Sequence, residues 1–489
     1  KALEKAVAAI IHRHESFRTR FVVVDGEPFQ EVDPNLRIPM QVHNLEKSGY
    51  EVESEELRGL VSESLLKPFN LGEFPLFKTC LFRLSDTVHI FSWACPHILS
   101  DGWSVGIFKT ELKSAYNAFA SDPKHVIEAP AVGYTEYANW QREQFKGNEL
   151  DQQLEYWTTL LDSPTVLELP TDYPRPQRQS FRGGRVLFSL TESVSSKLTE
   201  ITRQTKTTPF RVLMAAYQVL LSRYSGQQDI LVGSPVANRN RPEFEEVIGF
   251  FVNTLVYRGD FSGGPTFSEL IQQIRNQSLD SIDYQDLPFD KIVEKLNPER
   301  NLRQHPVFQV IFALQNASDA VLELDRLEVS PYAVSKERTR FDLELHMTLK
   351  SGTWNGIFCY CSEIFSRERI ELMSEHFVRL LECLLGDPEQ KVATAQLMSD
   401  AEKNQVIQKW NPGLVEYPCN ASVPSIFDKV AEMHPSKIAV EEAGSSLDYE
   451  ALLERSIKLA NYLISRNVQP GDRLGVCMDR SIDLIVSQL

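Results

Sequence analysis

The stretch with the clearest chemical potential is His97-x-x-x-Asp101-Gly102, which lies between an apolar run at 88–94 and a segment with helical spacing. The apolar run predicts a buried strand, and the spaced apolar residues after it predict a helix. A histidine at the mouth of a strand can meet a bound molecule, and imidazole is suited to proton removal near neutral pH. The Asp–Gly pair predicts a tight turn. Alone, this motif is equally compatible with an ordinary loop.

Length and charge narrow the classes of protein that the chain can represent. It has 489 residues, which predicts two to four domains or lobes. The net charge of −16 argues against a nucleic-acid partner. No apolar run is long enough to span a membrane. We therefore expect a cytoplasmic protein that acts on neither nucleic acid nor membranes.

The seven cysteines are scattered, and no two of them have the C-x-x-C spacing of a zinc site. Their odd number in a long chain predicts reduced thiols rather than a disulfide framework. We expect no bound metal.

The order of apolar patterns and proline-rich stretches predicts four parts, all of mixed α/β character apart from a linker. A proline-rich crossing at 169–176 separates two lobes of similar size, and such an arrangement invites a substrate channel between them. Both ends of the chain lie inside helical patterns, which predicts a piece of a longer protein. The predicted parts are a first lobe at 1–168, a second lobe at 169–395, a linker at 396–420 and the start of another α/β domain at 421–489.

Six sequence blocks, in order along the chain, resemble the condensation domains of nonribosomal peptide synthetases. The central block, Pro96 to Ser104, is similar to the family's HHxxxDGWS, and Ser446 to Leu452 resembles the first block of an adenylation domain. One such block is weak evidence, but six in order are strong. The other five are Arg13 to Phe21, Tyr134 to Trp140, Ile248 to Arg258, Tyr284 to Asp290 and Arg300 to Gln309.

The resemblance implies an α/β (α+β) fold of two chloramphenicol-acetyltransferase-like lobes with a central channel. The first strand of the N-terminal lobe is expected to be missing, and an incomplete N-terminal piece of an adenylate-forming domain is expected to follow the second lobe. The implied reaction is amide formation between donor and acceptor thioesters. The implied partners are upstream and downstream carrier domains, which supply phosphopantetheine, and the rest of the adenylation domain. No cofactor is expected on this chain itself, since ATP and magnesium belong to a complete adenylation domain.

By the resemblance, His97 deprotonates or positions the attacking amine, and the residues alone leave both roles open. Asp101 is expected to hold the turn through a salt bridge to an arginine, in preference to relaying protons. Gly102 is expected to allow close backbone approach. Arg13 and Arg18 are the two candidates for the arginine, and the expected channel-lining residues are Trp103, Asn253 and Thr254.

The main departure from the family pattern is Pro96, which stands where the first motif histidine is usual and removes a backbone donor. Two alternatives remain beside amide formation. One is an epimerisation domain or another His-x-x-x-Asp-Gly acyltransferase of the same fold. His97 argues against a heterocyclisation domain, which carries paired aspartates instead. The other is a catalytically impaired scaffold that only binds carrier domains, which is suggested by Pro96.

Overall fold

A computed structural model describes residues 1–128, 132–296, 303–315, 322–333, 338–411 and 420–489. The described chain divides into two compact units, Lys1–Ser399 and Asp400–Leu489. Arg300, Asn301 and Leu302, which open the last of the six sequence blocks, lie outside the described residues.

The N-terminal part of the first unit combines helices with two small sheets. Strands β3, β4 and β5 form one sheet in that order, and β1 pairs with β2 in the other. The helices are α1 (Ala2–Arg13), α2 (Glu55–Leu66), α3 (Gly102–Ser121), α4 (Tyr134–Gln144) and α5 (Asn148–Leu160). The strands are β1 (Thr19–Val24), β2 (Glu27–Val32), β3 (Gln41–Asn44), β4 (Lys78–Arg83) and β5 (His89–Ala94).

The C-terminal part of the first unit is built on one six-stranded sheet of order β6-β11-β10-β9-β7-β8. It is mixed, because β9 runs parallel to β7 and β10 while the other pairs are antiparallel. The strands are β6 (Gly183–Ser189), β7 (Asp229–Val236), β8 (Asn253–Asp260), β9 (Val310–Gln315), β10 (Leu343–Lys350) and β11 (Thr353–Cys361). The helices are α6 (Glu192–Gln204), α7 (Pro209–Ser225), α8 (Phe267–Asp280), α9 (Phe289–Leu296) and α10 (Arg367–Gly386).

The largest core lies between this sheet and the helices on one of its faces. Ten consecutive residues of α7, 212–221, are buried, so this stretch of the helix is covered on all sides by sheet and neighbouring helices. A separate core joins α1 and α3 around Phe17, Phe77 and Phe108. The two parts also share packing, because Ile248 lies in the core of α1 and α3 and Trp157 of α5 lies in the large core. Helix α3 carries the site described below at its N-terminus.

The second unit has its own small core around Leu452, Ile482 and Val486. Its elements are α11 (Asp400–Asn404), α12 (Val423–Met433), β12 (Ile438–Glu442), β13 (Ser445–Asp448), α13 (Tyr449–Ser465) and α14 (Ile482–Gln488). The segment predicted as a linker, 396–420, contains α11 and a π-helical turn at Gln405–Lys409, while 412–419 lie outside the described residues.

The elements predicted from apolar spacing are present around the motif. The apolar run at 88–94 forms β5, and the helical spacing after Gly102 forms α3. In the described chain, no helix is both long and apolar enough to cross a membrane.

Candidate active site

His97 opens a single 3₁₀ turn, His97–Leu99, directly after β5. Pro96 precedes it in an extended conformation, with φ −62° and ψ 147°, and the carbonyl of His97 accepts a hydrogen bond from the Ser100 amide at 3.1 Å. Leu99 is buried and fastens the turn to the core, while His97 is exposed. The short turn therefore presents the imidazole ring to solvent on a fixed backbone.

The His97 ring packs edge-on against the ring of Phe250, with 5.1 Å between their centroids. Neither ring nitrogen has a hydrogen-bond partner among the residues that the structure describes. A Cβ added to Gly102 would have no atom within 4 Å, and the backbone there is not left-handed, so the structure shows no close approach that requires glycine at this position. The imidazole of His97 is free to bind an incoming group.

Asp101 is fully buried and caps the N-terminus of α3. One carboxylate oxygen accepts from the Ser104 amide at 2.8 Å and lies 3.4 Å from Nη2 of Arg239, and the other accepts from the Phe251 amide at 3.0 Å. Negative charge is also favoured at a helix N-terminus. Because both oxygens are occupied by these donors, Asp101 holds the turn and has no contact through which to relay protons to His97.

The expected arginine partners of Asp101, Arg13 and Arg18, were wrong. Arg13 pairs with Glu111 at 2.9 Å and also donates to the Glu128 carbonyl. Arg18 donates instead to three backbone carbonyls, those of Ile11, His12 and Asp33. Both side chains are committed within the N-terminal part of the fold, where they fasten α1 to the segments beside it, so neither reaches the motif.

Arg239 is the partner that the structure provides, and its side chain is 2% exposed. Its guanidinium lies 3.9 Å from the centroid of the Phe251 ring and donates to the hydroxyl of Ser104 at 2.9 Å. Burial lowers the pKa of Arg239, and the charge of Asp101 opposes that shift. In place of water, the Arg239 guanidinium therefore contacts one carboxylate, one aromatic face and several oxygens.

The segment 239–251, which we call the junction segment, leaves the six-stranded sheet after β7 and crosses to the N-terminal part. Side chains from that part hydrogen-bond to its backbone at several places, three of which are consecutive carbonyls. Ser104 Oγ donates to the Gly249 carbonyl at 2.8 Å, Tyr134 donates to the Phe250 carbonyl at 2.7 Å, and Ser16 donates to the Ile248 carbonyl at 2.5 Å. His97 therefore lies where the two parts of the unit meet.

An aromatic cluster lies under the junction segment and joins it to α4. Tyr137 contacts Phe244 and Phe251 with ring centroids 5.3 Å and 4.3 Å apart, and Trp140 packs on Tyr137 at 5.9 Å. Burial raises the pKa of Tyr137 to about 12, so this ring stays neutral. The cluster supplies an apolar support for the ion pair of Asp101 and Arg239.

The three residues expected to line a channel have different surroundings. Trp103 is 45% exposed and its indole donates to the Glu245 carbonyl at 3.0 Å. Asn253 is buried and bonds to three backbone groups, donating to the carbonyls of Gln285 and Leu287 and accepting from the Phe289 amide. Asn253 therefore locks the 285–289 loop to the start of β8. Thr254, beside it, is half-buried.

Sequence reasoning missed Arg239, Ser104 and Tyr134 as members of the site. Ser104 and Tyr134 lie inside two of the six blocks, and this position could have marked them as members of the site. Arg239 lies in none of them. Within the described residues, no three His, Cys, Asp or Glu side chains are grouped so as to hold a metal ion.

Comparison with known families agrees with this geometry. The condensation domain model matches residues 1–407, and the AMP-binding enzyme model matches 427–489.

The chain belongs to the condensation domain family.

Curated relatives match this condensation domain over its whole length. Tyrocidine synthase 3 of Brevibacillus parabrevis is 34% identical over 490 residues, covering 100% of the chain and 7% of that protein. Bacitracin synthase 3 of Bacillus licheniformis is also 34% identical over 490 residues, covering 100% of the chain and 8% of that protein. The chain thus spans less than a tenth of the length of these two relatives.

Solved structures share the fold. The X-domain from teicoplanin biosynthesis has a TM-score of 0.73 at 25% identity, covering 81% of this chain and 90% of that one. A holo four-domain nonribosomal peptide synthetase bound to AMP and glycine has a TM-score of 0.74 at 22% identity, covering 96% of this chain and 36% of that one. The expected α/β architecture with chloramphenicol-acetyltransferase-like lobes is confirmed by these likenesses and by the mixed sheet.

Proposed function

We propose that this condensation domain forms an amide bond between donor and acceptor aminoacyl or peptidyl thioesters during nonribosomal peptide synthesis. The observation that carries the proposal is the exposed His97 ring, which packs on Phe250 where the two parts of the unit meet and lies on a turn followed by the buried helix cap Asp101. A thioester is already activated, so the protein's task is to hold the reactants and to keep the amine unprotonated. Holding two reactants together lowers a barrier by up to about 7–11 kcal/mol in ideal cases.

In this reaction the α-amine of the acceptor attacks the thioester carbonyl of the donor. A C–N bond forms, the C–S bond breaks, and the donor's thiol leaves. The free nitrogen of His97 either accepts the proton that the amine loses or holds the amine by a hydrogen bond.

The proposed partners are two carrier domains, each bringing its substrate on a phosphopantetheine arm. The arms enter a channel between the two parts of the unit from opposite sides, and Trp103 and Thr254 lie along it. The chain itself needs no bound cofactor for this step. The segment 427–489 is related to AMP-binding enzymes. ATP and magnesium would be needed only by the complete domain, and the remainder of that domain is its proposed partner.

The test supplies this chain with two carrier proteins, one loaded with a donor aminoacyl group and the other with an acceptor, and follows the dipeptidyl product by mass spectrometry. His97→Ala is expected to lower the rate by about 10²–10⁴-fold if the ring handles the proton. Ile98→Ala is the matched control, because Ile98 is 38% exposed on the same turn and has no proton to transfer. An unchanged rate in His97→Ala would overturn the proposed role of the ring.

A second candidate, a non-catalytic scaffold that binds carrier domains, is favoured by Pro96 at the position of the family's first histidine. It predicts carrier binding without product from the wild-type chain. Chiral analysis of the donor residue separates the remaining alternative, since an epimerisation domain inverts that residue and forms no amide.

A further inference from the structure

Three stretches of the chain concentrate arginine around β6, an edge strand of the six-stranded sheet. They are 173–185, 303–309 and 338–341, and they contain four, one and two arginines, with no lysine and no acidic residue. The chain as a whole, by contrast, has a net charge of −16. Arginine, more than lysine, is the basic residue that proteins use to recognise anions and one another. We call these three stretches the arginine surface.

Hydrogen bonds bring the three stretches of the arginine surface together. Arg175 donates to the carbonyl of Arg303 at 3.4 Å, and the amide of Thr339 donates to the carbonyl of Phe181 at 3.2 Å. Arg175 also donates to the carboxylate of Asp342 at 2.8 Å, so its charge is used inside the fold. The six other arginines of the surface are exposed. They therefore present positive charge to solvent from three stretches that touch one another.

Two of these cations, Arg182 and Arg338, stand directly opposite each other in an antiparallel bridge. Side chains at such positions lie on the same side, with their Cβ atoms about 4.5–5.5 Å apart, and like charges there are destabilising. Both side chains are exposed, and within the described residues neither forms an ion pair. The fold therefore keeps two like charges together without an anion of its own to offset their repulsion.

The residue before Arg182 has a backbone conformation that is unfavourable for its type. Phe181 has φ 62°, in the left-handed region, and its side chain is 44% exposed. A bulky side chain in this region strains the backbone, and here burial of the ring does little to offset that strain. Tyr173 and Leu187 are also exposed, at 49% and 74%. Large apolar side chains surrounded by arginine are typical of the centre of a protein–protein interface.

The arginine surface lies on the sheet face that carries Thr254, a residue expected to line the channel. Side chains that are partners in register point to one face, and one row of partners runs from Leu187 on β6 to Thr254 on β8. The row spans five strand spacings, or about 24 Å. Helices α7 and α10 pack on the opposite face, where Phe358 contacts Tyr217 and Phe377. The members of the row are Leu187, Ile357, His346, Ala313, Pro235 and Thr254.

We propose that the arginine surface is the docking surface for one of the two carrier domains, which it binds through an acidic face of that domain. The inference rests on the proposed function, which supplies the carrier partners. Because the chain as a whole is negative, an acidic partner needs a local positive surface in order to approach and orient. A domain of 100 residues has a radius of gyration of about 13 Å, so a small domain is wide enough to contact the arginine surface while its arm enters nearer Thr254.

The test measures the Kd of each loaded carrier protein for the chain by isothermal titration calorimetry. Arg182→Glu/Arg338→Glu reverses the opposed charges and is expected to weaken binding of one carrier at least about tenfold, and added salt is expected to weaken wild-type binding of the same carrier. Arg203→Glu/Lys206→Glu is the matched control, because it reverses two exposed charges at the end of α6, a helix that packs into the large core. Unchanged binding of both carriers would overturn the proposal, and so would an equal loss for both, which a non-specific field produces. Loss of self-association with unchanged carrier binding would assign the surface to a second copy of the chain instead.

The variant Phe181→Gly separates docking from folding. Glycine adopts a left-handed φ without strain, so the thermal midpoint is expected to equal or exceed that of the wild type, while the same carrier binds at least about fivefold more weakly. A lower midpoint with unchanged binding would show that the ring serves packing and would contradict its role in docking. If the wild-type chain binds both carriers through these residues but yields no dipeptide, the proposed function fails and the docking surface stands. If dipeptide forms and the variants bind as the wild type does, the docking surface fails alone.

Discussion

Asp101 and Arg239 are 138 positions apart in the chain, and their side chains are 0% and 2% exposed. The pair connects the cap of α3, which carries the His97 turn, to the junction segment that arrives from the six-stranded sheet. One ion pair thus connects the helix that follows the His97 turn to the joint between the two parts of the unit.

Arg239→Met is expected to destabilise the first unit by about 3–5 kcal/mol, because it leaves the carboxylate of Asp101 buried without its cation. Urea unfolding followed by tryptophan fluorescence measures the loss. The double variant Arg239→Met/Asp101→Asn also removes the unpaired buried charge and is expected to recover part of the lost stability. A single variant as stable as the wild type would contradict the assignment.

Gly249→Ala is expected to displace the junction segment, because a Cβ at this position would overlap the ring of Tyr134. Amide formation and thermal stability should fall together, since Phe250 beside it contacts His97. Gly106→Ala in α3 is the matched control. Its Cβ would meet no atom within 4 Å, so it should be neutral or stabilise the helix by up to about 1 kcal/mol.

Pro96→His tests whether the family's first histidine matters in this chain. Pro96 stands before the 3₁₀ turn in an extended conformation that any residue adopts, so the turn is expected to persist. We expect the rate of amide formation to change less than tenfold, because the proton is handled by His97. Activity that appears only in Pro96→His would show that the wild-type chain is a scaffold.

Asn253→Ala is expected to cost about 1–3 kcal/mol, because it leaves buried backbone groups of the 285–289 loop without partners. Hydrogen exchange should increase first at Phe289, whose amide donates to Asn253. Thr254→Ala, at the adjoining position, should change stability by no more than about 0.5 kcal/mol. A comparable loss in both variants would show that the loop is held by other contacts.

The ion pair of His346 and Glu344 predicts a stability contribution that depends on pH. The pKa of His346 is about 9 in the folded chain and 6.5 ordinarily, so the contribution is complete below pH 6.5 and is lost as pH rises through 9. The difference in thermal midpoint between wild type and His346→Gln should therefore shrink over this range. It corresponds to about 1–3 kcal/mol at pH 6.5. A difference that stays constant would contradict the pairing.

Local patterns were sufficient to predict the strand, turn and helix around His97, because alternating and helical spacing act over a few residues. The partner of Asp101 was not predictable in this way. Arg13 and Arg18 lie in a matching block, but their side chains are used by Glu111 and by backbone carbonyls near them. Arg239 reaches Asp101 only because the junction segment crosses between the two parts, and no local spacing encodes that crossing.

The group of Glu344, His346 and Cys359, which β10 and β11 place on one face of the sheet, shows the same limit around His346. In the sequence it has Glu344 two residues away and Cys359 thirteen away, a spacing with no characteristic meaning. The cluster exists because β10 and β11 form a hairpin in one particular register. A shift of that register by one residue would point Cys359 to the other face.

The junction segment is attached through backbone groups, among them the carbonyls of Ile248, Gly249 and Phe250, and the side chains of Ile248 and Phe250 take no part in those bonds. Phe250 can therefore be exchanged while the attachment of the segment is kept. This makes position 250, beside the imidazole, a natural place to vary when such a domain is re-engineered for different acyl groups, because new contacts can be introduced there without rebuilding the scaffold.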